Sequence, residues 1–347
     1  MATCYRKIAT LVSPAEAIGE LTVITDAAMV VDDGRVTWLG KDSDAPVCET
    51  EVDLTGKTVI PGFVDSHSHL VFGGERSEEF ASRMTGKKYE AGGINSTVSA
   101  TRRATADELR ANTAGLVQEL YASGITTFEI KSGYGLDTET EKLSLEIASD
   151  FTEEVTFLGA HVVPAGSKPD EYTDLVAGKM LESITAKWVD VFCDTGAFTV
   201  AQAKKVLTAG IAAGLKPRMH ANQLSNIGAI ALAVELDCAS VDHCTFLDDA
   251  DIELLKNSNT VATLLPGAEF STRSPYPQGG KLMKAGIAVA LATDCNPGSS
   301  FTTSMAFCIA VAVRDMGFSV DQAIWAATKG GAMALRGNQG VLEVGSI

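Results

Sequence analysis

Five histidines occur in 347 residues, and each sits at or just after the end of a short apolar run. His67 and His69 stand one residue apart in "VDSHSHLVF". His161 lies in "GAHVVP", His220 in "MHANQ" and His243 in "VDHC", while Asp294 ends another such run in "ATDCNPGSS". Imidazole and carboxylate are common ligands of zinc and iron. On a strand, the i, i+2 spacing turns the rings of His67 and His69 to one face. An isolated H-x-H reads more readily as a hydrogen-bonded pair without a metal. His220 and Asp294 at matching strand ends shift the reading to a mononuclear metal site.

Side chains so far apart in sequence need a scaffold that gathers strand ends. Eight short β-type runs recur: "VIPGFVDSHSH", "GITTFEIKSGYG", "VTFLGAHVVP", "WVDVFCDTG", "LKPRMHANQ", "CASVDHCTF", "TVATLLPGA" and "GIAVALATDCNPG". Helix signals fall between them. "TADE" (105–108) is a capping box followed by Leu109, Leu116, Val117 and Leu120 at helical spacing, with a stop at Gly124. "TVAQ" (199–202) opens another helix that ends near Gly214. Strands alternating with helices predict a parallel sheet, and eight units predict a (β/α)8 barrel whose site lies at the C-terminal ends of its strands. An open doubly wound sheet is the alternative, without support from a G-x-G-x-x-G or Walker A loop. Residues 1–60 differ: "LTVITDAAMVV" and "RVTWLG", separated by "DDG", read as a small β-sheet module. The expected division is 1–60 for the module, 61–335 for the barrel and 336–347 for the start of a return to the module.

"GKTVIPGFVDSHSHL" resembles the first-strand signature of the amidohydrolase superfamily, and the later histidines and aspartate follow its order. "HLVFGGERSEEF", "KSGYGL", "GAHVVP", "MHANQLSNIGA", "LLPG" and "ATDCNPGSS" resemble the branch of that superfamily that opens an imidazolone ring in histidine degradation. The resemblance runs from about Pro61 to the end of the chain. It implies hydrolysis of the cyclic amide C–N bond of 4-imidazolone-5-propanoate to N-formimidoyl-L-glutamate by a metal-bound hydroxide. It implies one zinc or iron ion held by His67, His69, His220 and Asp294. Asp294 would also shuttle a proton, His243 would stabilise the developing oxyanion, and Gln223 would hydrogen-bond the substrate ring. Arg76 would hold the propanoate, with Tyr134 and His161 against the ring or carboxylate and Asn296, Gly298 and Ser299 lining the pocket. Read without the resemblance, Arg76 is a surface arginine amid "ERSEE" and Asn296–Ser299 an ordinary Pro-Gly turn. Lys131 ends the second barrel run, whereas the resembled binuclear enzymes take a bridging lysine from the fourth. A single metal is therefore expected, with Lys131 a structural or supporting charge.

A net charge of −16 repels phosphate backbones and anionic membranes, which argues against nucleic-acid and membrane partners and leaves a small-molecule substrate. Seven cysteines without C-x-x-C spacing read as reduced thiols in the cytoplasm. Cys244 and Cys295 follow site residues and are expected to face away as packed thiols. The resemblance suggests a homodimer. The resembled enzymes continue past "GVLEVGSI" with a β segment that completes the small sheet, so a C-terminally truncated module with an exposed edge is expected. Rival functions remain: a purine- or pyrimidine-type aminohydrolase would share the metal set without needing Arg76, and a non-catalytic metal-binding barrel would not need Asp294 and His243 together.

Overall fold

The computed structural model describes residues 2–87 and 93–347. An N-terminal sheet comes first, from β1 (Thr3–Pro14), β2 (Leu21–Asp32), β3 (Arg35–Lys41), β4 (Thr50–Asp53) and β5 (Thr58–Val59), in the order β3–β2–β1–β4 with β5 also on β1. Asp33 and Gly34 both take positive φ (47° and 71°), as a two-residue hairpin between β2 and β3 requires. Ile8, Leu11, Ala27, Met29 and Val36 form the core of this unit.

The barrel follows. Its strands are β6 (Phe63–Asp65), β7 (Ile125–Phe128), β8 (Ile130–Lys131), β9 (Val155–Ala160), β10 (Trp188–Cys193), β11 (Lys216–Pro217), β12 (Met219–Ala221), β13 (Ser240–His243), β14 (Val261–Leu264) and β15 (Val289–Leu291). β7 and β8 form one barrel position, broken at Glu129, and β11 and β12 form another, so eight positions result. The order runs β15–β14–β13–β12–β10–β9–β8, every pairing being parallel, with β7 on β6. Backbone bonds beyond the strand ends close the ring: Lys131 N donates to Ser68 O, Asp294 N to His67 O and His69 N to Cys295 O, at 2.9–3.0 Å. The architecture is the expected (β/α)8 barrel with an N-terminal β module.

Every residue of β9, β10, β13 and β14 is buried, because helices cover the outer face of a parallel sheet. The capping boxes at Thr105–Glu108 and Thr199–Gln202 open helices Ala106–Ala122 and Val200–Ala212. Trp325 Nε1 and Lys329 Nζ donate to Ala15 O (3.3 and 3.2 Å), tying the barrel to the module. The C-terminal residues reach the module as well. Val36 N donates to Ser346 O (2.9 Å), Gly345 N to Val36 O (2.7 Å), and Leu342 packs on the module core. These bonds pair β3 with the C-terminal residues at Val36.

Candidate active site

The barrel closes where its donors converge. His67 and His69 leave β6 on backbone bonded to the segment that carries Asp294, so closing the ring fixes the three side chains together. The neighbouring strands end in abrupt turns. Asn222, His243, Cys244 and Asp294 all have positive φ (54°, 83°, 56° and 50°), conformations that cost roughly 1–3 kcal/mol each outside glycine and persist where surrounding structure enforces them.

His67 Nε2 and His69 Nε2 lie 3.2 Å apart, and each is 3.5 Å from Asp294 Oδ1. The His220 ring centroid is 4.5 Å from that of His67, and the His243 centroid 5.4 Å from that of His220. Donor atoms of His67, His220 and His243 also fall within 4.8 Å of one another. His67 Nδ1 meets Asp242 Oδ2 at 2.8 Å and His220 Nδ1 meets Asp190 Oδ2 at 3.0 Å. These carboxylates fix the tautomers and leave Nε2 as the donor of each ring, the arrangement that orients metal-bound histidines. Burial first, then Lys131 and the neighbouring rings, holds His67 well below the ordinary histidine range; burial and adjacent histidines do the same for His69 and His243. Burial pushes the Asp294 carboxyl well up, so a cation there would relieve it.

This donor set fits a divalent ion. Bonds of about 2.0–2.2 Å in a tetrahedral site separate ligands by roughly 3.3–3.6 Å, close to the spacings of His67, His69 and Asp294. A third trio, Asp190, His220 and Asp242, has similar compactness, but Lys131 already serves it. Lys131 Nζ stands 2.8 Å from Asp190 Oδ2, 3.0 Å from Glu129 Oε1 and 3.7 Å from Asp242 Oδ2. Arg218 Nη2 donates to Ser66 O (2.6 Å) and reaches Asp242 Oδ2 at 3.4 Å. Burial alone would raise both aspartates. His220 and Lys131 hold Asp190 well below the usual range, and Arg218 and Lys131 hold Asp242 down.

Sequence reasoning missed Asp190, Asp242, Glu129 and Arg218. Their signal was available: charged residues interrupt the apolar strands "WVDVFC", "ASVDHC", "TTFEI" and "KPRMH".

A cavity of about 50 Å³ opens above the donors, lined among others by His69, Arg76, Tyr134, His161, His220, Gln223, His243, Asp294, Asn296 and Ser299. Of the residues singled out from sequence, His67 lies beneath it, and Gly298 borders an adjoining cavity of about 460 Å³ that shares Arg76. The His161 ring stacks on His69 (centroids 5.3 Å, 18°) and sits 5.4 Å from Tyr134. Its Nδ1 meets Gly133 O at 3.0 Å, and burial lowers its pKa to about 3. Asn296 is bound into its own loop. Its amide nitrogen donates to Asp294 O and Ser299 Oγ (2.7 and 2.9 Å), and its Oδ1 accepts from the backbone of Gly298 and Ser299 (2.8 Å each). Ser299 Oγ lies 3.4 Å from Asp294 Oδ2. Arg76 is buried rather than a surface arginine, paired through Nε and Nη2 with both carboxylate oxygens of Glu79 (3.0 and 2.6 Å). Cys244 and Cys295 are buried thiols, and Asn222 points its amide at Phe246 O and Asp251.

A parallel barrel with histidines and an aspartate at its strand ends is the mark of one class of metal-dependent hydrolase. The chain belongs to the amidohydrolase family, whose profile matches residues 58–347. It is 57% identical over 333 residues to the imidazolonepropionase of Mycolicibacterium smegmatis, covering 94% of this chain and 84% of that one. It is 55% identical over 341 residues to the imidazolonepropionase of Streptomyces coelicolor, covering 96% and 87%. Among solved structures, the guanine deaminases of E. coli (TM-score 0.73, 17% identity, covering 100% of this chain and 87% of that one) and C. acetobutylicum (0.72, 15%, 99% and 89%) share the fold.

Proposed function

We propose that the chain hydrolyses the cyclic amide C–N bond of 4-imidazolone-5-propanoate, yielding N-formimidoyl-L-glutamate in histidine degradation. His67, His69, His220 and Asp294 would hold one divalent ion, zinc or iron. When bound, such an ion supplies Lewis acidity that polarises a carbonyl and lowers the pKa of a water towards about 7. Asp294 takes the proton of the attacking water and delivers it to the leaving ring nitrogen, while the water's oxygen joins the new carboxyl group. His243 hydrogen-bonds the oxygen on which charge develops. Gln223 hydrogen-bonds the substrate ring, Tyr134 and His161 pack against it, and Arg76 receives the propanoate. Asn296 shapes the loop that presents Ser299 and Asp294.

One observation carries the substrate assignment: in a chain of net charge −16, a buried arginine shares the cavity of the metal donors. Charge-assisted, bidentate recognition of a carboxylate is the role a buried guanidinium suits best. Arg76→Ala is expected to raise KM for the imidazolone by about 10- to 100-fold, with a smaller effect on kcat. An unchanged KM would show that Arg76 does not hold the propanoate. The reading also includes a cytoplasmic homodimer. The free thiols of all seven cysteines suit a reducing compartment, and light scattering measures the oligomer.

A further inference from the structure

The Arg76 guanidinium is enclosed on two sides by glycine backbone. A Cβ at Gly298 would collide with its Nη1, and a Cβ at Gly93 with its Nη2 and with the Glu79 carboxylate. Gly93 leaves room for both groups of the pair, but the arginine side chain is buried while that of its partner reaches solvent. Glu79 lies on helix Ser77–Met84 with its side chain 37% exposed, and its Oε2 is 3.8 Å from Arg83 Nη1. Arg83 is itself anchored, donating to Ser271 O and Gly298 O (3.0 and 2.6 Å).

Charge sets the problem. A buried guanidinium without an anion is strongly disfavoured, so Arg76 needs a carboxylate before substrate arrives. Glu79, however, offsets one of the two neighbouring positive charges of Arg76 and Arg83, and so weakens the attraction that this corner of a strongly acidic protein offers to an incoming anion. We propose that Glu79 stands in for the substrate carboxylate: it occupies Arg76 in the free enzyme and yields to the propanoate, turning towards Arg83 and solvent. The exchange conserves the bidentate geometry at Arg76 and leaves neither carboxylate without a cation. It makes Glu79 a determinant of affinity for carboxylate-bearing ligands, and it rests on the reading that Arg76 receives the propanoate.

The test uses 3-(imidazol-4-yl)propanoate, which carries the propanoate tail without the hydrolysable ring carbonyl, and its neutral primary amide. Binding of each to the metal-loaded protein is measured by calorimetry for wild type, Glu79→Gln and Glu79→Ala. Removing the competing charge is expected to tighten the acid by about 3- to 10-fold while leaving the amide unchanged. Weaker or unchanged binding of the acid in both variants would overturn the exchange, as would equal tightening of acid and amide. Two variants guard against a folding defect in one. Absence of imidazolone turnover in wild type would overturn the proposed reaction and leave this binding comparison intact.

Discussion

His67 and His220 each have one ring nitrogen engaged by a buried aspartate, so the orientation of the other nitrogen depends on Asp242 and Asp190. Asp190 also carries the contact to Lys131 at 2.8 Å. Asp190→Asn is therefore expected to weaken metal affinity by about 10- to 100-fold, read by competition with a chromogenic chelator, because the His220 ring loses the carboxylate that orients it. Glu269 offers a pH-dependent test. It accepts from Thr245 Oγ1 at 2.8 Å, its Oε2 has no hydrogen-bond partner among the described residues, and burial raises its pKa to about 8. In the unfolded chain it titrates near ~4.3. Its proton is held more tightly when folded, so its contribution to stability is full below the unfolded pKa and is lost as pH rises to about 8. Glu269→Gln imitates the neutral acid at every pH. Its Tm is expected to exceed that of wild type by a few degrees more at pH 8 than at pH 5, and equal Tm differences at both values would contradict this. The histidines that face the cavity were legible because histidine is scarce and ends apolar runs, whereas Arg76, Tyr134, Gln223, Asn296 and Ser299 were legible only through the family resemblance. Of the layer beneath, Lys131 was read as a supporting charge, but its partners Asp190, Arg218 and Asp242 were not, because they sit on different strands and meet only once the ring closes.

The strand-end loops decide which way each donor points. Positive φ at His243 and Asp294 turns the chain sharply after a strand, and the Asn296 side chain braces the loop that follows Asp294. In the same loop Gly298 must lack a side chain because Arg76 Nη1 lies against it. Gly298→Ala is expected to displace the guanidinium and raise KM for the carboxylate-bearing substrate at least several-fold, since displacement misaligns the bidentate contact; kinetics on the purified variant check this. At this scale the apolar runs located all eight barrel positions, and the capping boxes and glycine stops located two helices. Strand limits were less legible. β7 and β8 are separated at Glu129, whose carboxylate serves Ser68 N and Lys131, a polar requirement invisible in a run that reads as one strand. The loop role of Asn296 was likewise hidden, since "DCNPGSS" shows the residue types but not which hydrogen bonds they spend on one another.

Across the whole molecule, the barrel gathers donors separated by as many as 227 positions, from His67 to Asp294, and the β module packs beside it through Ala15. Periodicity could indicate the barrel, but not how residues 342–346 meet β1 and β3, because those contacts join opposite ends of the chain. The measurement that bears most directly on the central claim combines metal content and turnover in one preparation. Bound metal per chain is determined, and loss of 4-imidazolone-5-propanoate is followed by absorbance, for wild type and Asp294→Asn. The expected result is a single divalent ion per chain and ring opening to N-formimidoyl-L-glutamate in wild type, both lost together in the variant. A metal-loaded wild type that leaves this substrate intact while releasing ammonia from a purine or pyrimidine base would contradict the account.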